Sequence, residues 1–211
     1  MRTNFKALRA TILGLGVAAV FEPAAVGALT TTLHGAEAGA PGARMQSIGQ
    51  PGDFKFTQPA AEVGDARAQY LLGRKYENGV QVRENYTQAA RWYRQAAEQG
   101  FAPAQYSLGR LYAGGDGVRQ DYAEAIRWFR RAAAQDYALA QNRLGVMYEK
   151  GTGVAPDCVE AYKWYCLAAE DDRNVFALAN RERLVRQMTS EQIADGERQA
   201  ELARMQFTLQ P

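Results

Sequence analysis

The sequence predicts an all-α fold: an α-solenoid of about three helix-turn-helix repeats of 36 residues, closed by a C-terminal pair of capping helices. Three observations carry this. Residues recur at one phase in three consecutive rows, Gly64–Gln99, Gly100–Gln135 and Asp136–Asp171. Each row holds two apolar stripes at three- and four-residue steps, as amphipathic helices do. Each pair of stripes is split by a glycine-bearing loop, such as "GGDGV" or "GTGV".

The recurrence is specific. Ala68, Ala104 and Ala140 align, as do Gln69, Gln105 and Gln141, and the pairs Leu72-Gly73, Leu108-Gly109 and Leu144-Gly145. Tyr76, Tyr112 and Tyr148 follow, then Val82, Val118 and Val154. All three tryptophans, Trp92, Trp128 and Trp164, fall at one repeat position.

In the first helix of a row, Ala104, Leu108, Leu111 and Tyr112 form the apolar face. In the second, Ala125, Trp128, Phe129, Ala132 and Ala133 do so. The loop glycines end the first helix by allowing positive backbone angles. Asn85…Gln88, Asp121…Glu124 and Asp157…Glu160 read as capping boxes opening the second. The glycine of each Leu-Gly pair has no capping role in mid-helix. It is expected to let a neighbouring helix approach, which offsets its ~1 kcal/mol propensity cost. One such helix pair cannot bury both its faces, so copies must stack.

The flanks differ. Residues 173–211 keep helical periodicity, but Asn180 and Arg181 stand where Leu-Gly would be. Val175, Leu178, Ala179, Val185 and Met188 give a ragged apolar face, and Thr189 with Gln192 opens a further capped helix. This reads as a terminal pair with a polar outer side. Residues 29–63, rich in Pro, Gly and Gln, are expected to be a flexible leader.

Residues 1–28 read as a secretory signal peptide. Arg2, Lys6 and Arg9 precede an apolar run over residues 10–21, and small residues suit cleavage after Ala28, or later after Ala38. The run is short for a membrane anchor, which needs ~20 residues, so no stable membrane insertion is expected after cleavage. The segment carries net charge +2, equal to the +2 of the whole chain, so the remainder is neutral. A nucleic-acid partner, which needs a basic surface, is therefore not expected. Cys158 and Cys166 lie eight residues apart on one predicted helix. That is about 12 Å of rise, beyond the ~7 Å a disulfide spans, so no bridge between them is expected.

The segment "AQYSLGRLYAGGDGVRQDYAEAIRWFRRAA" resembles the Sel-1-like repeat family, relatives of the tetratricopeptide repeats, throughout its length. Gln81 departs from the pattern at a loop glycine, and Cys158 departs at the position of Tyr86 and Tyr122. The resemblance implies a right-handed superhelix. It also implies a protein-interaction role, as adaptor or regulator, in bacteria often in the cell envelope. With the signal peptide, this gives a periplasmic expectation, with a secreted or signal-anchored protein as the alternatives. Positions that contact ligands in related arrays fall, by offset, on Arg67, Tyr70 and Arg74, on Tyr106 and Arg110, and on Asn142 and Val146. Such a mix can hold a protein or peptide by its backbone and carboxylates.

Signals for chemistry are thin. His34, in the leader, is the only histidine, so the repeats lack the base that Ser-His or Cys-His pairs need. No Ser-x-x-Lys motif is present, although β-lactamase-like activity has been ascribed to the repeat class. No metal site, cofactor or catalytic residue is expected: "GGDGV" offers one carboxylate where calcium takes six to eight oxygens. The alternatives are an envelope hydrolase working through Cys166 or the carboxylates Glu170, Asp171 and Asp172, and a purely structural assembly subunit. The bland reading of the carboxylates is a solvated helix end. For Cys158, at a helix start, it is a small substitute for tyrosine. A basic stripe, Arg91, Arg94, Arg127 and Arg130, reads as solvated surface.

Overall fold

The computed structural model describes residues 54–170 and 174–208. The expected signal peptide, the expected leader up to residue 53, His34 and the pair Asp171-Asp172 lie outside the described residues. The described residues are all-helical: α1 (Phe54–Glu62), α2 (Ala66–Asn78), α3 (Tyr86–Glu98), α4 (Ala102–Gly114), α5 (Tyr122–Ala133), α6 (Ala138–Lys150), α7 (Cys158–Ala168), α8 (Val175–Val185) and α9 (Ser190–Thr208). Each helix packs on its chain neighbour from α1 to α8, and α9 returns onto α7. The result is a solenoid of the three predicted hairpins, α2–α3, α4–α5 and α6–α7.

Inside each hairpin one contact recurs. The mid-helix glycine lies under the aromatic ring of the second helix. A Cβ on Gly73 would come 2.7 Å from the Tyr93 ring, one on Gly109 2.7 Å from Phe129, and one on Gly145 2.5 Å from Tyr165. Tyr93, Phe129 and Tyr165 are fully buried there. The glycines serve close approach, as the sequence predicted.

The loops close on the same logic. Gly79, Gly115 and Gly151 end the first helices in the left-handed region, each N–H returning to a carbonyl of the last turn. The Asn85, Asp121 and Asp157 side chains then cap the second helices. The expected reach back from Gln88, Glu124 and Glu160 is replaced. The N–H groups of Asn85, Asp121 and Asp157 are already donated to the Tyr76, Tyr112 and Tyr148 carbonyls at 2.8–2.9 Å. Only Thr189 and Gln192 form the reciprocal box. Gly117 and Gly153, also left-handed, press on the start of the preceding repeat's second helix, at Tyr86-Thr87 and at Tyr122. Gln81 holds φ 65° at the same position in the first repeat. Its side chain is exposed and accepts from Lys75.

Stacking between repeats uses a buried glutamine. Gln69, Gln105 and Gln141 donate to the carbonyls of Ala61, Ala97 and Ala133 in the preceding helix at 3.1–3.2 Å. Gln99 and Gln135 in turn donate to Gln69 and Gln105. Ala61 belongs to α1, which therefore occupies the place of a preceding repeat's second helix. This corrects the expected leader: residues 54–62 are helical and part of the stack, with Ala61 and Thr57 buried. The sequence held a signal for this, since Ala60-Ala61-Glu62-x-Gly64 repeats as Ala96-Ala97-Glu98-x-Gly100. The apolar face of the terminal pair is also corrected. Val175 is 61% exposed and Ala179 is exposed, while Ala177 and Leu184 are the residues of α8 that α7 buries.

Two sets of side chains change together from junction to junction. Glu77 accepts from the Tyr93 hydroxyl and from Arg110 of the next repeat. Glu149 likewise accepts from the Tyr165 hydroxyl at 2.7 Å and from both Arg183 nitrogens. The middle junction places Ala113, Phe129 and Val146 at these positions and is apolar. The second set crosses the junctions elsewhere: Arg94 donates to the Tyr112 hydroxyl at 2.6 Å, and Arg130 to that of Tyr148. At the last junction Cys166 and buried Leu184 occupy these positions. Arg94, half-buried, and Arg130, which stays exposed, thus also link consecutive repeats.

Three outcomes follow from this packing. Gly109→Ala should lower stability by about 1–3 kcal/mol through overpacking against Phe129, despite alanine's better helix propensity. A urea midpoint at or above that of the parent would contradict the packing role. Glu77→Ala should cost about 1–3 kcal/mol by leaving the Tyr93 hydroxyl without its acceptor. Adding Tyr93→Phe and Arg110→Val, which copies the middle junction, should recover most of that loss in the same assay. Finally, the Arg183 hydrogen bonds, opposed by burial and helped by Tyr165 and Lys150, hold the Glu149 carboxyl below its usual range. Its contribution is present above the ordinary glutamate value of about 4.3 and is lost as pH falls through the lowered folded value. Acid titration of Glu149→Gln should therefore show a shallower loss of stability below about pH 4 than the parent.

Candidate partner-binding face

The exposed side of the first helices is set by what the opposite side buries. In α2, Ala68, Gln69, Leu72 and Gly73 face inward. Arg67 and Arg74, seven residues apart, therefore share the open side and are exposed. In α4 the matching exposed residue is Arg110.

Tyr70 and Tyr106 lie between the core and this surface. The Tyr70 ring packs 5.7 Å from Tyr93 and 5.3 Å from Phe101. Tyr106 packs 5.7 Å from Phe129 and 5.5 Å from Tyr137. Phe101 and Tyr137 stand at the N-cap positions of α4 and α6 and make no side-chain cap. Their rings extend the aromatic surface instead. Tyr137 has electrostatic neighbours in Tyr70, Tyr106 and Arg74, and burial pushes its phenol above the usual tyrosine range. The first two repeats thus bring Arg74, Tyr70 and Tyr106 together with Tyr137. Phe101 and Tyr137 were not picked out from the sequence. Their 36-residue spacing was the available signal.

The third copy is arranged differently. Asn142 accepts from Asn180 of α8 at 3.0 Å. Val146 is half-buried against the core of the last two repeats. The terminal helix pair therefore engages Asn142, and Val146 packs at the middle junction, whereas Arg67, Arg74 and Arg110 stay exposed. Arg110 is tied to Glu77, whereas the Arg67 and Arg74 guanidiniums have no ion pair or hydrogen bond among the described residues.

The residues that could suggest catalysis have structural surroundings. Cys158 and Cys166 are both free and half-buried. Burial pushes the Cys166 thiol up, outweighing Tyr162 and Arg181, so it stays protonated near neutral pH. Cys166 packs on the core. Glu170 accepts from Arg204 of α9 at 2.9 Å. Among the described residues no three His, Cys, Asp or Glu side chains are grouped to hold a metal ion. No described helix is long and apolar enough to cross a membrane. A separate open groove of about 640 Å³ lies among Arg94, Tyr112, Val118, Arg119 and Asp121, with Arg94 bound to Tyr112.

Comparison with known proteins agrees with this architecture. The Sel1 repeat model matches residues 66–101, 102–137 and 138–172, together half of the chain. A crystal structure of a Sel1 repeat protein from Oxalobacter formigenes is 41% identical, with a TM-score of 0.56. The match covers 62% of this chain and 98% of that one. A second similar structure is c5321, a protective antigen of uropathogenic Escherichia coli displaying an SLR fold. It is 27% identical with a TM-score of 0.56, over 74% of this chain and 43% of that one. A search of curated proteins gives no match. Three matched repeats, each built on the same glycine–aromatic contact, place this chain in the Sel1 repeat family.

Proposed function

We propose that the chain is a non-catalytic interaction module of the bacterial cell envelope, acting as an adaptor or regulator that binds a protein or peptide on the exposed side of α2 and α4. Sel1 repeats are in general protein-interaction modules. One observation carries the choice of face. Arg67 and Arg74 stand free beside half-buried tyrosines, while Arg94 and Arg130 are used in holding the repeats together. Arginine and tyrosine are the usual anchors of such interfaces. The periplasmic setting rests on the charge and apolar pattern of residues 1–28. A hydrolase working through Cys166 finds no support, since its thiol is held protonated and packed.

In-cell photo-crosslinking tests this directly. A crosslinking side chain at position 74 should yield a discrete partner adduct, and one at exposed position 127 of α5 should not. Adducts of equal yield at both positions would refute the chosen face. Cys158→Ser with Cys166→Ser should leave the adduct unchanged. Recovery in the periplasmic fraction, with a mature N-terminus after residue 28 or 38, is the expected outcome for location.

A further inference from the structure

The surface around Arg74 carries several side chains whose hydrogen-bonding capacity is unused. The hydroxyls of Tyr93, Tyr112, Tyr148 and Tyr165 all have hydrogen-bond partners. Those of Tyr70, Tyr106 and Tyr137 have none among the described residues. These three phenols are electrostatic neighbours, and Arg74 is a fourth member of the group. Arg74 differs in this from other unpaired arginines such as Arg91, which stands exposed without an aromatic neighbour of this kind. Glu77, three residues on from Arg74 in α2, is only 12% exposed and is committed to Tyr93 and Arg110. One cation and three phenols without an internal hydrogen-bond partner are therefore neighbours on this surface.

We infer that this surface takes a carboxylate of an acidic linear segment of the partner, with Arg74 supplying the charge and Tyr70, Tyr106 and Tyr137 the neutral donors. A planar guanidinium binds a carboxylate through two parallel N–H bonds, and the flanking rings give an extended segment an apolar surface to lie on. Arg67, exposed two turns before Arg74 on α2, adds attraction for neighbouring acidic residues. The inference rests on the binding face proposed above and adds the chemistry of its occupant.

The test is selection of a displayed library of random octapeptides on the immobilised mature chain, followed by anisotropy of labelled selected peptides. Asp and Glu should be enriched, and replacing them by Asn and Gln should weaken binding about tenfold, the weight of one charge-assisted interaction. Arg74→Gln should abolish the enrichment. Tyr137→Phe, which keeps the ring, should weaken binding several-fold, and Arg91→Gln should leave it unchanged, all with parental thermal melts. Neutral or basic selected sequences, no selection at all, or unchanged enrichment on Arg74→Gln would overturn the inference. If position 74 still crosslinks to a cellular partner in that case, the face stands and only the carboxylate chemistry fails. If position 74 gives no crosslink either, both fail.

Discussion

Each hairpin is held by a ring lying on a bare stretch of backbone. Gly73, Gly109 and Gly145 leave no room for a methyl group beneath Tyr93, Phe129 and Tyr165, so the two helices can only meet there if that position stays empty. This contact fixes how close the helices come and hence which residues of the second helix reach the next repeat. The buried glutamine that donates across the junction, the capped second helix and the aromatic surface around Tyr70 and Tyr106 all depend on it. Even the terminal pair reuses the device, with Gly196 of α9 pressed against Tyr162.

With the hairpins fixed, the junctions are where the copies differ. The polar sets Glu77–Tyr93–Arg110 and Glu149–Tyr165–Arg183 sit at the outer junctions, and Ala113–Phe129–Val146 fills the middle one. A hydroxyl or carboxylate in a half-buried seam needs its partner, because an unpaired one costs more than an apolar substitute. That is why three positions in three helices alter as a unit. The replacement of Arg94 and Arg130 by Cys166 has the same origin: the facing residue is no longer a tyrosine but Leu184.

Much of this was readable in advance, because a period repeated three times supplies its own controls. The hairpins, their caps, the loop glycines and the role of the Leu-Gly glycine all follow from residue type and spacing. The misses share a physical cause. α1 is short and places Thr57 where the repeats have the buried aromatic, so its pattern did not stand out. In α8 the apolar residues outnumber those its neighbour covers, so Val175 and Ala179 were placed on the wrong side. For the candidate face, offsets located Arg74, Tyr70 and Tyr106, but the covering of Asn142 by Asn180 depends on how the non-repeating end folds back. Tyr137 was missed because it replaces a capping residue, a position where an aromatic reads as an anomaly.

The coupled junctions also bear on how such a gene can change. Equal spacing suggests units that recombination could delete or duplicate freely, yet removing residues 100–135 would set Glu77 and Tyr93 beside Val146, a carboxylate facing no cation. Duplicating the same unit would place Ala113 and Phe129 against Arg110, a cation facing no carboxylate. The order of the copies is thus written into their edges, and an in-frame crossover between repeats carries a mismatch that compensating substitutions must then remove.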